Sequence, residues 1–568
     1  MNYSLKRGRI FIILAAIILA VLVIITKLYF VQIINGDVFS DKADRQYYKP
    51  STTSFDRGSV IFETKDGDRI DAATLSIGYI LAINPSILTD AYGAYDKLNE
   101  IIEIDKETFI GRASKTEDPY EEIATQLTVD QKDRIEELEI DGVSLYKNKW
   151  RFYPGKSLAS HVLGFMSYRG DEYRGQYGLE RYYNDILERN KGSVYANFFV
   201  ELFSNIGDSI KGRNSEGSLV TTIEPTVQTF IEKEVSNVQE DWSSKRTGVI
   251  VMDPKTGEIR AMAVAPTFNL NDFSEVEDVS DFSNPLVESV YEMGSIVKPL
   301  TMAIGLDTDS ITPDTTYDDK GSVTVNTETF YNYDKEARGV VDMQTVLNKS
   351  LNTGVAFVVG RVGNEKFSDY MKRLVGEETG VDLPNEAAPL IDNLDSPRDI
   401  EHATASFGQG IAMSPIAITR ALATLGNGGV LVNPHVVKEI DYDMGFSKEI
   451  VQNDHERIFS EETSETISRM LTAAVDDALV DGEVSLTHHS VAAKTGTAQI
   501  ANLDGGGYYE SRFLHSFFGY FPSYDPKFIV FLYTIEPQGA LYASQTLTDP
   551  FMNITKFLIN YYEIPPDR

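Results

Sequence analysis

The longest apolar run of the chain lies at its start. Ile10–Ile25 is uninterrupted, and the apolar pattern resumes at Leu28 after Thr26 and Lys27. A helix rises about 1.5 Å per residue and the hydrocarbon core is about 30 Å thick, so we expect a transmembrane helix over residues 10–32. No second stretch is long and apolar enough to span, which predicts a single-pass protein.

Basic residues set the predicted orientation of this helix. Lys6, Arg7 and Arg9 precede it, so the positive-inside rule predicts a cytoplasmic tail over residues 1–9 and an extracytoplasmic remainder. A cleaved signal peptide is the alternative. It is disfavoured because the apolar run is long for such a peptide and no small-x-small cleavage site follows.

Residues 33–215 mix short alternating runs with helical ones and contain no catalytic spacing. Gly58–Phe62 and Gly78–Pro85 have the pattern of strands, and Tyr120–Leu138 that of a charged amphipathic helix. We therefore expect a mixed α/β domain between the anchor and the rest of the chain.

Residues 216–568 show a different order of strand and helix patterns. A strand and a helix beginning at Pro225 lead into a predicted hairpin, whose strands flank the turn 254–257. Helical patterns follow over 295–305, 343–362, 415–425 and 461–478, and strand patterns return over 490–500, 515–521 and 528–535. Strands at both ends with helices between predict one α+β domain whose sheet pairs early and late strands.

Composition excludes several classes of function. The chain has no cysteine, which excludes thiolate catalysis, cysteine zinc sites and disulfides. Its formal net charge of −33 argues against nucleic-acid binding, since phosphate contacts need clustered Lys and Arg. The 7 histidines show no ligand spacing, so we expect no metal and no cofactor.

Three short motifs could carry chemistry: Ser295-Ile-Val-Lys298, Ser350-Leu-Asn352 and Lys494-Thr-Gly-Thr497. On a helix, Ser-x-x-Lys places hydroxyl and amine one turn apart on the same face. A lysine can take the proton of a serine hydroxyl if the pKa of the lysine is lowered. Burial and a nearby second cation such as Lys494 would lower that pKa. The helix start at Ser295 also favours oxyanion binding by backbone N–H groups.

Each motif alone is weak, and the chain contains a decoy of two of them. Ser144–Lys147 is a second Ser-x-x-Lys, but it lies in an alternating segment whose serine and lysine would face opposite ways. Lys255-Thr-Gly257 is a second Lys-Thr-Gly, but it is predicted to be a turn. Lys494, by contrast, lies inside an apolar strand beside small alanines, which suits a sheet edge that admits a substrate backbone.

The ordered triple resembles the penicillin-recognising serine transferases. Over nearly the whole chain, the sequence resembles class B penicillin-binding proteins. The stretches that carry this resemblance are Asp56-Arg57-Gly58, Lys65-Asp-Gly67, Arg151-Phe-Tyr-Pro154, Gly178-Leu-Glu180, Asp253–Ile259, Tyr291–Ser295, Thr379–Pro384, Ser406-Phe-Gly-Gln-Gly410, Asn427-Gly-Gly429 and Lys494–Ala498. Met293 and Glu63 depart from the family's usual proline and aspartate, and neither touches a reacting group.

The resemblance implies a penicillin-sensitive peptidoglycan D,D-transpeptidase of α+β fold, with a central antiparallel sheet and a membrane-proximal pedestal over residues 33–215. It implies Ser295 as nucleophile and Lys298 as base. Ser350 would relay a proton, Lys494 would tune that site, and Asn352 would hold the donor backbone and position Lys298. Thr495, Gly496 and Thr497 would bind the substrate, Thr495 and Thr497 its terminal carboxylate.

The resemblance also implies partners: stem peptides, β-lactams, the membrane and a polytopic glycan polymerase contacted through anchor and pedestal. Two stretches, Ser350–Gly354 and Thr379–Pro384, favour a division-type over an elongation-type protein. A β-lactamase is disfavoured by the anchor and pedestal, and a non-enzymatic penicillin sensor by the intact motif triple. A bifunctional class A protein is disfavoured because the segment after the anchor resembles a class B pedestal.

Overall fold

The structure is a computed structural model that describes residues 55–170, 172–189, 216–274, 276–443, 445–450, 455–502 and 505–568. The predicted transmembrane helix lies outside these residues. Within the ranges that are described, no helix is long and apolar enough to cross a membrane. The position of the anchor therefore stays a prediction.

Twenty strands are present in these ranges. They are β1 Val60–Glu63, β2 Arg69–Ile83, β3 Glu121–Leu127, β4 Val143–Phe152, β5 Met166–Arg169, β6 Glu172–Gly175, β7 Gly217–Thr221, β8 Arg246–Met252, β9 Ile259–Ala265, β10 Thr316–Asp319, β11 Ser322–Val325, β12 Glu328–Tyr331, β13 Gly339–Asp342, β14 Val430–Leu431, β15 Val437–Tyr442, β16 Phe446–Glu449, β17 Glu456–Arg457, β18 Ala492–Ala501, β19 Tyr508–Phe521 and β20 Phe528–Ile535.

The described ranges also contain α-helices. They are α1 Ala91–Asn99, α2 Lys106–Ala113, α3 Val129–Glu136, α4 Ser160–Leu163, α5 Gly178–Tyr182, α6 Asn184–Leu187, α7 Pro225–Asp241, α8 Pro285–Glu288, α9 Lys298–Asp307, α10 Met343–Asn348, α11 Asn352–Val362, α12 Asn364–Val375, α13 Asp399–Ala405, α14 Pro415–Ala423, α15 Glu461–Asp477 and α16 Ala543–Tyr561.

The chain groups into two compact units. Among the described residues, the smaller unit comprises 55–56 and 75–150. The larger unit comprises 57–74, 151–189 and the described part of 216–568. The predicted division between a pedestal over 33–215 and a catalytic domain over 216–568 stays a prediction.

In the smaller unit, the predicted helix Tyr120–Leu138 is wrong in its first half. Residues Glu121–Leu127 form β3, which pairs with the later part of β2 through Tyr79↔Leu127 and Ile83↔Glu121. Helix α3 begins only after Thr128, whose hydroxyl accepts from the Gln131 N–H while the Gln131 side chain caps the Thr128 N–H. Strand pairing and this capping box therefore override the helical spacing of the apolar positions.

The larger unit is built on an antiparallel sheet of five strands in the order β18-β19-β20-β8-β9. Early strand β8 pairs with late strand β20 through Val251↔Val530, which confirms the predicted α+β pairing. Strand β19 begins at Tyr508 rather than at the predicted His515.

Helices cover both faces of this sheet because its strands are apolar on both sides. Val249 and Val251 of β8 belong to a buried cluster with α7 and α16, whereas Ile250 and Met252 belong to one with α9, α11 and α14. Side chains alternate along a strand, so one strand contributes to two cores. The second core surrounds the Ser-x-x-Lys segment.

Three of the motif stretches meet in a buried ion network within the larger unit. Glu180 accepts from Arg57 Nε at 2.6 Å and from Arg151 Nε at 2.5 Å. Burial opposes ionisation, but Arg151 and Arg57 together hold the pKa of Glu180 below its usual value. Arg151 also donates to the Gly58 carbonyl at 2.8 Å. The network ties residues 57–58, 151 and 180 together.

Candidate active site

The nucleophile candidate Ser295 lies in a tight turn that leads into a helix. Gly294–Val297 forms a 3₁₀ turn, and α9 starts at Lys298. The predicted helix from Ser295 therefore opens as a 3₁₀ turn. Gly294 has φ +63°, and a Cβ there would lie 3.1 Å from the Thr497 carbonyl oxygen. Glycine is needed because both this backbone conformation and the close approach disfavour a side chain.

Strand β18, which carries the Lys-Thr-Gly motif, lies directly against this turn. A Cβ at Gly496 would lie 2.9 Å from the Met293 carbonyl oxygen. The Ser516 hydroxyl, on the neighbouring strand β19, donates to the Met293 carbonyl at 3.0 Å and lies 3.3 Å from that of Gly496. Among the described strands, β18 pairs only with β19, so no strand covers its other edge.

Lys298 is buried and its amine contacts Ser350. Nζ donates to the Ser350 carbonyl oxygen at 2.5 Å and to Oγ at 3.1 Å. Within the described residues, no hydrogen bond joins Lys298 to Ser295, which lies one turn before it. The structure thus brings the amine of the first motif to the serine of the second.

Ser350 breaks the helix that the sequence predicts over Met343–Val362. It has φ +52° and separates α10 from α11, so the single predicted helix is wrong. A serine in the left-handed region is strained by about 1–2 kcal/mol, a cost that neighbouring contacts have to offset. The break turns the Ser350 carbonyl and hydroxyl toward Lys298.

The two lysines are both buried, with 1% of Lys298 and 7% of Lys494 exposed. Burial, and secondarily the positive charge of Lys494, hold the pKa of Lys298 well below its usual value. Burial alone lowers the pKa of Lys494 to about 8. Both shifts favour the neutral amine over the ammonium.

The remaining predicted site residues occupy the two walls of this region. Asn352 Nδ2 donates to the Tyr331 carbonyl at 2.8 Å, and no hydrogen bond in the described ranges joins it to Lys298. Thr497 Oγ1 accepts from the Ala543 N–H at 3.0 Å, which leaves its own proton available for a ligand. Lys494 Nζ donates to the Thr495 carbonyl at 3.1 Å.

Gly408 lies in Ser406-Phe-Gly-Gln-Gly410, one of the stretches that resemble the family, and the sequence predicts no role for it. It has φ +78°, and a Cβ there would lie 2.4 Å from the Gly294 carbonyl oxygen. The Gly294 N–H donates to the Gly408 carbonyl at 3.2 Å. Gly408 therefore supports the nucleophile turn from the side, and the only sequence signal for this was its place in a glycine-containing motif.

The two decoy motifs have the backbone conformations that the sequence predicts. Ser144 and Lys147 are in strand β4, and Lys255–Gly257 is a turn in which the Asp253 carboxylate accepts from the Lys255 N–H at 2.8 Å. The described residues contain no cluster of His, Asp or Glu that could hold a metal ion.

A cavity of about 720 Å³ has Thr353 in its lining. Its lining includes Tyr317, Val323 and Phe357 but none of the predicted catalytic residues. The candidate active site is therefore the region where the three motifs meet, and it is separate from this cavity.

Known proteins match the chain along most of its length. The family description "Penicillin binding protein transpeptidase domain" matches residues 247–555, and "Penicillin-binding Protein dimerisation domain" matches residues 72–198. "Stage V sporulation protein D" of Bacillus subtilis (strain 168) is 28% identical over 97% of this chain and 85% of its own length. "Peptidoglycan D,D-transpeptidase FtsI homolog" of Mesostigma viride is 26% identical over 95% of this chain and 93% of its own.

Solved structures share the fold. Penicillin Binding Protein 2X from Streptococcus thermophilus aligns over 90% of this chain and 81% of its own with a TM-score of 0.72, at 20% identity. The transpeptidase description alone covers more than half of the chain, and the dimerisation description precedes it. The chain therefore belongs to the penicillin-binding protein transpeptidase family, as a class B member.

Proposed function

We propose that this chain is a serine D,D-transpeptidase that cross-links peptidoglycan stem peptides and is acylated by β-lactams. One observation carries the proposal: the buried amine of Lys298 lies on Ser350 while the Lys-Thr-Gly strand packs against the turn of Ser295. Lys298 can act as the base, the Ser350 hydroxyl can relay a proton, and the edge of β18 can bind the substrate. All three lie close to the half-buried hydroxyl of Ser295. The name of the Mesostigma viride relative supports the same reaction.

In the acylation half, Ser295 Oγ attacks the carbonyl between the two terminal D-alanines and its proton passes to neutral Lys298. The N–H groups of Ser295 and Thr497 stabilise the oxyanion of the tetrahedral intermediate. The C–N bond then breaks, and the leaving D-alanine amine receives the proton from Lys298 through the Ser350 hydroxyl. The product is an ester between Ser295 and the donor peptide.

In the second half, the amine of another stem peptide attacks that ester. Lys298 accepts the proton of the amine and returns it to Ser295 Oγ as the C–O bond breaks, so the enzyme is restored. The positive charge of Lys494 and the hydroxyl protons of Thr495 and Thr497 suit the donor's terminal carboxylate. A β-lactam uses the first half only, because its amine stays tethered to the acyl group.

Exchange of the terminal D-alanine tests the proposed reaction. Full-length protein is incubated with a stem-peptide donor and a labelled D-amino acid, and the label in the product peptide is measured. We expect incorporation that both penicillin and Ser295→Ala abolish. Hydrolysis of penicillin at many turnovers per second would instead indicate a β-lactamase, and equal incorporation by Ser295→Ala would exclude this nucleophile.

The anchor over residues 10–32 and a partner glycan polymerase belong to the same proposal. A cytoplasmic N-terminus and an extracytoplasmic catalytic domain place Ser295 where peptidoglycan is assembled. We propose a septal role on the two stretches that favour the division type. A fluorescent fusion in growing cells should give a midcell band, whereas a sidewall pattern would assign the protein to elongation.

A further inference from the structure

A buried polar cluster adjoins the segment that carries Ser350 and Asn352. It consists of Asp319, Asn332 and Thr353, each only 1% exposed. The Asp319 carboxylate accepts from the Thr353 hydroxyl at 2.8 Å and from Asn332 Nδ2 at 3.0 Å. The backbone N–H groups of Gly321 and Arg338 also donate to it, each at 3.1 Å. The carboxylate is therefore well satisfied despite its burial.

Through Asn332, this cluster caps helix α11. The N-cap position of α11 is Leu351, whose side chain makes no capping hydrogen bond. Asn332 Oδ1 accepts instead, from the Thr353 N–H at 3.2 Å, and lies 3.1 Å from the Thr353 hydroxyl oxygen. An unpaired N–H in the first helical turn is thus satisfied from a distant loop, and the Asp319 charge lies at the positive end of the helix.

The capped turn contains the second catalytic motif. Asn352, directly before Thr353, donates to the carbonyl of Tyr331, directly before Asn332. On the other side, Ser350 binds the amine of Lys298 and has φ +52°. The four residues from 350 to 353 are therefore held at both ends. A strained serine keeps its position only when its surroundings fix it from several directions.

We propose that Asp319 and Asn332 are positioning residues for acylation, which set where Ser350 and Asn352 stand relative to Ser295. This inference rests on the proposed function. Neither residue touches the reacting atoms; both act through Thr353 on the start of α11. A displacement of about 1 Å in such a segment can lower the rate about a hundredfold. We therefore expect substitutions at these two residues to lower the rate constant of acylation.

The charges around the cluster determine how a variant should respond to pH. Arg338 Nη1 lies 4.0 Å from the Asp319 carboxylate and is itself paired with Asp334, and the Tyr317 hydroxyl lies 3.1 Å from that of Thr353. In wild type, the neutral Asn332 amide donates to both Asp319 oxygens, at 3.0 and 3.2 Å. Asn332→Asp would make two carboxylates face each other, and such a pair has to share a proton.

The decisive variants are Asn332→Asp and the double variant Asp319→Asn/Asn332→Asp, with Asp318→Asn as the matched control. Asp318 is the exposed neighbour of Asp319 on the same strand, β10. For each full-length protein, the acylation rate constant and the preacylation dissociation constant for a fluorescent penicillin are measured across pH, relative to wild type.

We expect Asn332→Asp to lower the acylation rate constant about tenfold to a hundredfold at alkaline pH, to recover toward wild type as pH falls, and to change the dissociation constant little. The double variant restores one carboxylate and one amide, so the pH-dependent loss should disappear. Its rate should stay below wild type, because an amide at position 319 cannot accept from both backbone N–H groups that donate to Asp319. A rate of Asn332→Asp equal to wild type at all pH values, an effect on the dissociation constant alone, or the same pH-dependent loss in the double variant would overturn the inference.

A second pair keeps the test decisive if Asn332→Asp does not fold. Thr353→Ser retains the hydroxyl that donates to Asp319, whereas Thr353→Val is nearly isosteric and removes it. We expect slow acylation in Thr353→Val only; equal rates in the two would contradict the inference. Failure of wild type itself to be acylated would overturn the proposed function instead, which separates the two outcomes.

Discussion

The amine of Lys298 donates to both the carbonyl and the hydroxyl of Ser350, at 2.5 and 3.1 Å. The two residues come from different motifs, and the contact exists because Ser350 leaves the helical conformation at φ +52°. No carboxylate among the described residues forms an ion pair with Lys298 to stabilise its charge. This contact and the burial that lowers the pKa of Lys298 together suit a base that is neutral before the reaction starts.

The rate of acylation by a penicillin should be bell-shaped in pH. It rises as Lys298 loses its proton, at a pKa that burial and Lys494 hold well below the usual lysine value. It falls as Lys494 loses the charge that binds the substrate carboxylate, because burial lowers the pKa of Lys494 to about 8. Lys494→Arg keeps the charge and should shift the descending limb to higher pH. An unchanged descending limb in Lys494→Arg would assign it to another group.

Gly408→Ala should slow acylation by at least about tenfold and lower the melting temperature. The new methyl group would lie 2.4 Å from the Gly294 carbonyl oxygen and push the Ser295 turn away from β18. Gly380→Ala is the control, since Gly380 has a similar φ of +74° but nothing within 4 Å of an added Cβ. Equal rates in the two variants would show that backbone strain, not the clash, decides the effect.

Glu180→Gln should lower the free energy of unfolding by about 3–5 kcal/mol, because it leaves the buried guanidinium groups of Arg57 and Arg151 without a counter-charge. Chemical denaturation monitored by fluorescence measures this. The control is Glu172→Gln, which removes a solvent-exposed pair with Arg174 and should change little. A loss in Glu180→Gln no larger than in the control would show that this network does not stabilise the fold.

Much of the site could be predicted from the sequence because its parts are local. The placement of Lys494 inside an apolar strand predicted a sheet edge, and β18 pairs only with β19 among the described strands. The alternating pattern around Ser144 and Lys147 predicted a strand, and both residues lie in β4. Order and spacing of short motifs therefore carry the catalytic assignment.

The parts that could not be predicted depend on contacts between distant segments. Nothing in the sequence around Ser350 signals a left-handed residue, since its conformation follows from contacts with Lys298 and with the capped start of α11. Asn332 caps that helix from a loop that lies 21 residues before Thr353, a relation without a sequence pattern. Strand β3 was not predicted because the spacing of its apolar residues fits a helix equally well. Only the pairing with β2 decides in favour of a strand.

The most direct test of the central claim is the mass of the full-length protein after reaction with benzylpenicillin, with the adduct mapped to a residue by peptide sequencing. The account predicts a single, slowly released adduct on Ser295, absent from Ser295→Ala and formed far more slowly in Lys298→Ala. An adduct on another residue, or one that forms at the wild-type rate in Lys298→Ala, would contradict it.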